Sequence, residues 1–266
     1  MSLYRTIFLL LLCVVFVEAR IVLGIVPSDN KRVLLKRFTP LAEYLSTQTQ
    51  EKVILKIGKS YKDIYNSLIS GKIHFAYMGP YSSYKAMKKN RNVMPVARVL
   101  TKGKSYYRVA VITGKKSDIT KLREYNGRYF AFGDKYSAST YFVPRYMLNL
   151  RGVTLKQLSR YNFIGNQSTI LSKVIKGDID GGAVKESLAK KYQKKIKILE
   201  YSNKILNYTI CANMKEASRS DMTKIKKALL KLKDKKVLRA LGVEYTGFKR
   251  AFKSEYTKLN KLYGKK

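Results

Sequence analysis

The sequence predicts an α/β fold built as two similar lobes. Three observations carry that prediction. Short apolar segments rich in β-branched residues alternate with segments whose apolar residues recur at helical spacing. One unit occurs twice: Ile-Gly, a polar loop, an amphipathic helix, Gly, one residue, Ile, then a short apolar strand. The copies begin at Ile57-Gly58 and Ile164-Gly165; Gly58 to Gly71 is 13 steps and Gly165 to Gly177 is 12. Two copies suggest two lobes rather than a solenoid. Third, 266 residues at 45% hydrophobic content are enough for one large core or two of ordinary size.

The chain opens with a short basic start, Met1 to Arg5, and an unbroken apolar run of 11 residues from Ile7 to Val17. Val17-Glu18-Ala19 then offers small residues at the two positions a signal peptidase reads. Residues 1–19 are expected to be a signal peptide cleaved after Ala19, giving an exported, soluble mature protein. The run is too short to span a bilayer comfortably. Cys13 follows Leu12, which is not small, so a lipoprotein site is not expected.

Arg20 to Val26 reads as the first buried strand and Pro27 to Asn30 as a polar loop. Leu34, Phe38, Leu41 and Leu45 share a helical face, so a helix runs to about Gln48, kinked or split at Pro40. Lys52 to Ile57 is a second strand. The first repeat copy follows, its strand ending at Met78-Gly79-Pro80, where a new helix begins. Val96 to Leu100, after Pro95, and Tyr107 to Thr113 read as strands separated by the polar Thr101 to Ser105. Ser117 to Leu122 reads as a short helix, Asn126-Gly127 as a turn, and Arg128 to Phe132 as a short buried strand. Tyr141 to Leu150 reads as a helix stopped by Gly152. After the second copy, Ile196 to Leu199 and Tyr208 to Ala212 read as strands returning through the lobe boundary. Ser218 to Asp221 resembles a capping box ahead of a helix with Ile225, Ala228, Leu229 and Leu232 on one face. Leu241-Gly242 ends a helix. Phe248, Phe252, Tyr256, Leu259 and Leu262 are expected to pack back on the first lobe.

Formal net charge is +38, from 55 Lys+Arg against 17 Asp+Glu. So basic a chain invites a nucleic-acid reading. Export argues against it, and the charge is spread along the chain, so a basic solvated surface is the expectation. The single histidine, His74, lies in an apolar strand context and reads as structural. Without a Cys/His cluster no metal site is expected. Cys211, the one cysteine of the mature chain, lies in an apolar segment and reads as a buried core residue, leaving no Ser-His or Cys-His nucleophile pair. Neither dinucleotide nor P-loop glycine pattern occurs. The reading is a binding protein with no catalytic residues and no cofactor. Of 21 tyrosines, Tyr61, Tyr81, Tyr107, Tyr136 and Tyr208 fall where strands meet loops, positions that line clefts in open α/β sheets.

Between the strand at Phe132 and the following helix lie three hydroxyls in four residues: Ser137, Ser139 and Thr140. Taken alone, the stretch fits an ordinary Ser-capped helix. That is the reading the stretch favours by itself, but it can also serve as an anion seat, because free N–H groups and a partial positive charge mark a helix start.

Together these residues resemble the periplasmic phosphonate/phosphite/phosphate-binding proteins of ABC transporters. The resemblance covers most of the mature chain: Leu23-Gly-Ile-Val-Pro-Ser28, Tyr61 in Lys59-Ser-Tyr-Lys, Phe75-Ala-Tyr-Met-Gly-Pro80, Tyr106-Tyr107-Arg-Val, and Ser137-Ala-Ser-Thr-Tyr-Phe-Val-Pro144. The last is similar to the family's Ser-Thr-Ser-Gly-x-x-x-Pro, which holds phosphoryl oxygens on a helix N-terminus. Departures are Ala138 for Thr, Thr140 for Gly, Gln167 where many members have His, and His74 for Asp; Asp180 is retained. Family members that bind an aminoalkyl phosphonate hold the amine with second-lobe carboxylates. Their apparent counterparts here are Ser187, with Glu186 beside it, and Tyr208, so a cationic tail is poorly served.

The resemblance implies a type II periplasmic-binding fold with a ligand cleft at the hinge. Lobe 1 would hold residues 20–104 and 204–266, and lobe 2 residues 105–203. Ligand-binding residues would be Tyr61, Tyr107, Ser137, Ser139, Thr140, Gln167 and Tyr208. The partners would be a small anionic ligand and an ABC permease in the membrane; the protein would be a periplasmic monomer that binds no nucleic acid. Two alternatives remain: the same fold binding a non-phosphorus ligand or serving a signalling receptor, and a basic exported surface-binding protein with no small ligand.

Overall fold

The structure is a computed structural model and describes residues 20–257 and 259. The expected signal peptide and Leu262 lie outside the described residues. In chain order the elements are β1 (Arg20–Ile25), α1 (Lys31–Thr49), β2 (Lys52–Ile57), α2 (Tyr61–Ile69), β3 (Phe75–Met78), α3 (Pro80–Lys89), β4 (Val93–Thr101), β5 (Tyr106–Tyr107) and β6 (Val109–Gly114). A 3-10 turn (Leu122–Tyr125), β7 (Tyr129–Phe132), a π-helical turn (Ala138–Phe142), α4 (Val143–Asn149), β8 (Arg160–Phe163), α5 (Gln167–Lys176), β9 (Gly181–Lys185) and α6 (Glu186–Lys191) follow. The chain continues through β10 (Ile196–Tyr201), β11 (Ile205–Leu206), β12 (Thr209–Asn213), α7 (Arg219–Lys231), α8 (Lys235–Leu241), β13 (Tyr245–Arg250) and α9 (Ser254–Thr257).

These strands form two separate sheets. A six-stranded sheet has the order β13-β4-β12-β3-β1-β2, and a five-stranded sheet the order β10-β6-β9-β7-β8. The antiparallel ribbon of β5 and β11 joins the two points where the chain crosses from one sheet to the other. The repeat is visible in both sheets. β3 pairs in parallel with β1, and β9 in parallel with β7, each reached through the repeat helix, α2 or α5. Each helix is capped by a side chain, Ser60 or Asn166, and is followed by a left-handed glycine, Gly71 (φ 79°) or Gly177 (φ 81°). Both sheets and the helices on them pack side chains into buried cores, Ile21, Leu23, Leu34, Leu41 and Phe75 about one sheet, Val111, Phe130, Ile170 and Val184 about the other.

Several sequence expectations need correction. Pro40 does not split α1. The hydrogen bond Pro40 cannot donate would have gone to the carbonyl of Lys36, an exposed position where water can replace the donor. β4 begins at Val93 and contains Pro95, which sits at a register shift against β12 and beyond the pairing with β13. The single strand expected over Tyr107–Thr113 is broken at Arg108, because Tyr107 pairs with β11 while Val109 onward pairs with β9 and β10.

No helix forms over Ser117–Leu122. Ser117 Oγ accepts from the Ile119 N–H, and the Glu124 carboxylate accepts from the N–H groups of Thr120 and Lys121, so side chains satisfy these amides. β8 has no sequence signal because it is an edge strand with mostly exposed side chains. At the C-terminal end, β13 extends the first sheet and Tyr256 and Leu259 join its core, but Phe252 is 46% exposed. His74 is tied structurally: its Nδ1 accepts from the Val22 N–H at 3.1 Å. Cys211 is buried in β12, and burial pushes its thiol up to about 12.

Candidate ligand-binding site

The corner after β7 is built by one glycine and one proline. A Cβ on Gly133 would collide with Thr140 Oγ1 and the carbonyl oxygen of Gly165. That close approach lets the Gly133 N–H donate to the Thr140 carbonyl at 2.9 Å. In a regular α-helix that carbonyl would accept from residue 144, but Pro144 has no N–H. The first turn is accordingly π-helical, with the Phe142 N–H reaching the Ser137 carbonyl at 3.1 Å. The helical turn therefore begins at Ala138, not at Tyr141 as the periodicity suggests. Ser137 is its N-cap, with Oγ accepting from the Thr140 N–H at 3.3 Å. Ser137, Ser139 and Thr140 are all buried, and no acidic residue lies in the turn. Thr140 Oγ1 is packed on Gly133 and so closes the corner.

Tyr61 is the first residue of α2. Its hydroxyl lies 3.4 Å from that of Tyr208, which precedes β12. The Tyr208 ring stacks on Tyr77 at 4.9 Å, and the Tyr77 hydroxyl bonds that of Tyr245 at 3.0 Å. Burial raises the Tyr61 phenol well above its ordinary range and pushes Tyr208 up to about 12. Both therefore stay neutral and keep a proton to donate. Tyr107 comes from the crossing ribbon. The Lys185 Nζ lies 4.8 Å from the Tyr107 ring centroid and 4.4 Å from that of Tyr208. Gln167 is joined to this group through its Oε1, which accepts from the Lys185 N–H at 3.2 Å. Its neighbour Asn166 caps α5 by accepting from Ser168 and Thr169.

The structure thus gathers Tyr61, Tyr107, Tyr208 and Gln167 around Lys185, at the end of β9, and β9 packs against the turn that carries Ser137, Ser139 and Thr140. Tyr81 and Tyr136 bridge elements of the two sheets: Tyr81 stacks on Phe142 at 4.4 Å, Tyr136 packs on Tyr65 at 5.2 Å, and Ser82 Oγ donates to the Tyr136 carbonyl. The Asp134 carboxylate accepts from the N–H of Tyr136 at 2.7 Å and from the backbone N–H of Tyr61, and burial raises its carboxyl above the usual range. A separate cavity of about 300 Å³, lined by Val143, Tyr146, Met147, Tyr201 and Ile205 among others, contains none of the predicted site residues.

Lys185 was missed in the sequence. Its signal was a charge at the carboxyl end of the apolar Gly181-Gly-Ala-Val strand, where long charged side chains reach a cleft. Burial, with Arg37 nearby, lowers its ammonium to about 8. Glu186 is not available to an amine. Arg108 holds it through two hydrogen bonds, 3.0 and 2.8 Å, and Lys190 sits at 2.8 Å, which together hold the carboxyl at about 2. Ser187 is exposed on α6, and Asp180 is structural, accepting from the Tyr129 N–H at 2.8 Å.

Known proteins share this fold. A solved structure of PhnD1 from Prochlorococcus marinus, in complex with methylphosphonate, superposes with a TM-score of 0.82 at 19% identity, covering 92% of this chain and 97% of that one. A binding protein component of an ABC phosphonate transporter from Pseudomonas aeruginosa superposes with a TM-score of 0.83 at 19% identity, covering 92% and 85%. These establish a type II periplasmic-binding fold. The phosphate-import protein PhnD of Mycolicibacterium smegmatis is 23% identical over 182 residues, 64% of this chain and 56% of that protein. The match thus spans a little over half that relative's length. The family model described as ABC transporter, phosphonate, periplasmic substrate-binding protein matches residues 23–256. This chain belongs to the family of periplasmic phosphonate substrate-binding proteins of ABC transporters.

Proposed function

We propose that this protein captures a phosphorus oxyanion (a phosphonate, phosphite or phosphate) between its two lobes and delivers it to an ABC permease. It works as an exported monomer, with residues 20–104 and 204–266 as lobe 1 and 105–203 as lobe 2. The observation that carries the reading is the acid-free, Ser137-capped turn beside three tyrosines and a lysine. Backbone N–H groups and the Ser139 hydroxyl hold the oxyanion at the start of the turn. Ser137 caps the turn and adds its own proton. Tyr61, Tyr107 and Tyr208 donate from the opposite side, and Gln167 holds the end of β9 in place. A ligand that touches both lobes favours the closed arrangement, which is the form a permease recognises.

The test is a thermal-shift screen of residues 20–266, refolded to remove bound ligand, against phosphate, phosphite, methylphosphonate, 2-aminoethylphosphonate, sulfate and carboxylates. A ligand at a hundred times its dissociation constant stabilises by about 2.7 kcal/mol. A raised melting temperature with one phosphorus oxyanion, lost in Ser139→Ala, is the expected result. A shift with carboxylates alone, or with none of the panel, would sink the reading.

A further inference from the structure

We propose that Lys185 contacts the bound ligand and restricts the cleft to oxyanions that carry an extra negative charge and no ammonium group. The inference rests on the reading of the site as a phosphorus-oxyanion cleft. It names the chemical class that the cleft selects.

Lys185 is the last residue of β9, the strand that packs against the Ser137–Thr140 turn. Its Nζ lies between two aromatic faces, Tyr107 from the crossing ribbon and Tyr208 from the first sheet's side. Among the described residues no carboxylate pairs with it. The nearest acid in sequence, Glu186, is taken by Arg108 and Lys190. The other charge acting on Lys185 is that of Arg37, also a cation, which pairs with Asp29 at 3.2 Å. Two aromatic faces return only part of the hydration that an ammonium loses on burial. Burial lowers its pKa to about 8, so at neutral pH the group is still mainly charged. A partly buried, uncompensated cation in a ligand cleft attracts an anion and repels an ammonium, and it does so strongly where water is excluded.

The extra charge has two sources: a fully ionised phosphoryl group, or a carboxylate on the ligand tail. Both present a carboxylate-like or phosphate-like oxygen to the same ammonium. The alternative is a lysine that only tethers β9 to the two tyrosines.

Isothermal titration of ligand-stripped protein with phosphate, methylphosphonate, phosphonoacetate and 2-aminoethylphosphonate decides between them. Wild type is expected to bind the best of the first three at least about tenfold tighter than 2-aminoethylphosphonate. Lys185→Met is expected to weaken that anion about ten- to hundredfold while changing 2-aminoethylphosphonate little. Lys185→Arg should retain the anion, and Lys185→Glu should reverse the order of preference. Phosphonoacetate binding above methylphosphonate places the extra charge on the tail; the opposite order places it on the phosphoryl group. If wild type binds a phosphorus oxyanion and Lys185→Met matches it in affinity and order, Lys185 is only a tether and the inference falls alone. If wild type binds none of the four, the reading of the cleft falls and takes the inference with it. Melting curves of each variant separate lost binding from lost folding.

Discussion

Two helix starts meet near the cleft, and they differ in what fills them. At α2, Ser60 Oγ accepts from the Asp63 N–H, Asp63 in turn accepts from the Lys59 N–H, and the Asp134 carboxylate reaches the Tyr61 N–H from the other sheet. At the π-helical turn, Ser137 makes the same kind of cap, yet no acidic residue lies within the turn, and the preceding Asp134 carboxylate is bonded to the Tyr136 N–H. Both starts have orphan N–H groups and the positive end of a helix dipole. On the proposed reading, only the second offers them to an outside anion. A helix N-terminus is thus not a binding site in itself; the protein's own acids decide which end is open.

The largest expected effect comes from making the second start resemble the first. Ser139→Asp places a carboxylate in the turn and is expected to weaken oxyanion binding more than about a hundredfold, since a desolvated like charge costs several kcal/mol. Titration calorimetry on a variant that retains its circular dichroism measures it. Ser137→Ala removes both cap and hydroxyl. It should cost about 1 kcal/mol of stability in urea unfolding and about ten- to hundredfold in affinity. Persistence of full affinity would show that the cap is only structural.

Two smaller effects are read as pH dependence. The Lys185 ammonium is held at about 8, below its unfolded value near 10.4, so the unfolded chain binds more protons between those values. Ligand-free wild type should therefore gain stability relative to Lys185→Met as pH rises from 8 to about 10. A gap that stays constant with pH would mean that the lysine is solvated. Asp134 has the opposite character. Burial raises its carboxyl, so its charged form is penalised at neutral pH and relieved as pH falls through the raised value. Asp134→Asn should change stability at pH 7 by less than about 1 kcal/mol, with the comparison shifting toward wild type on acidification. Affinity for the oxyanion should change little, because the proposed seat is the Ser137 turn and not α2.

Most of the lobe scaffold was legible because it follows period. The strands at Arg20, Lys52 and Phe75 and the two repeat helices declare themselves by apolar spacing and by Gly71 and Gly177. What period could not show was set by single partners. The side chains of Ser117 and Glu124 took the amides that an expected helix needed, and the β11 ribbon cut one strand into two at Arg108. β8, exposed at an edge, carries no alternation. At the site, the hydroxyls and tyrosines were readable as residue types at strand ends. The π-helical start was not, because it depends on Pro144 freeing the Thr140 carbonyl for Gly133 across the corner. Lys185 escaped among 55 basic residues, since only its burial against Tyr107 and Tyr208 distinguishes it from a solvated surface charge.

The central claim is that the oxyanion sits on the turn after Ser137 and not on α2. Amide chemical shifts of isotope-labelled protein, followed while methylphosphonate is added, test it directly. The largest shifts are expected at the backbone N–H groups of Ala138, Ser139 and Thr140, with Tyr61 to Asp63 changing less. Binding that moves the α2 amides most, or leaves residues 138–140 unmoved, would contradict the account.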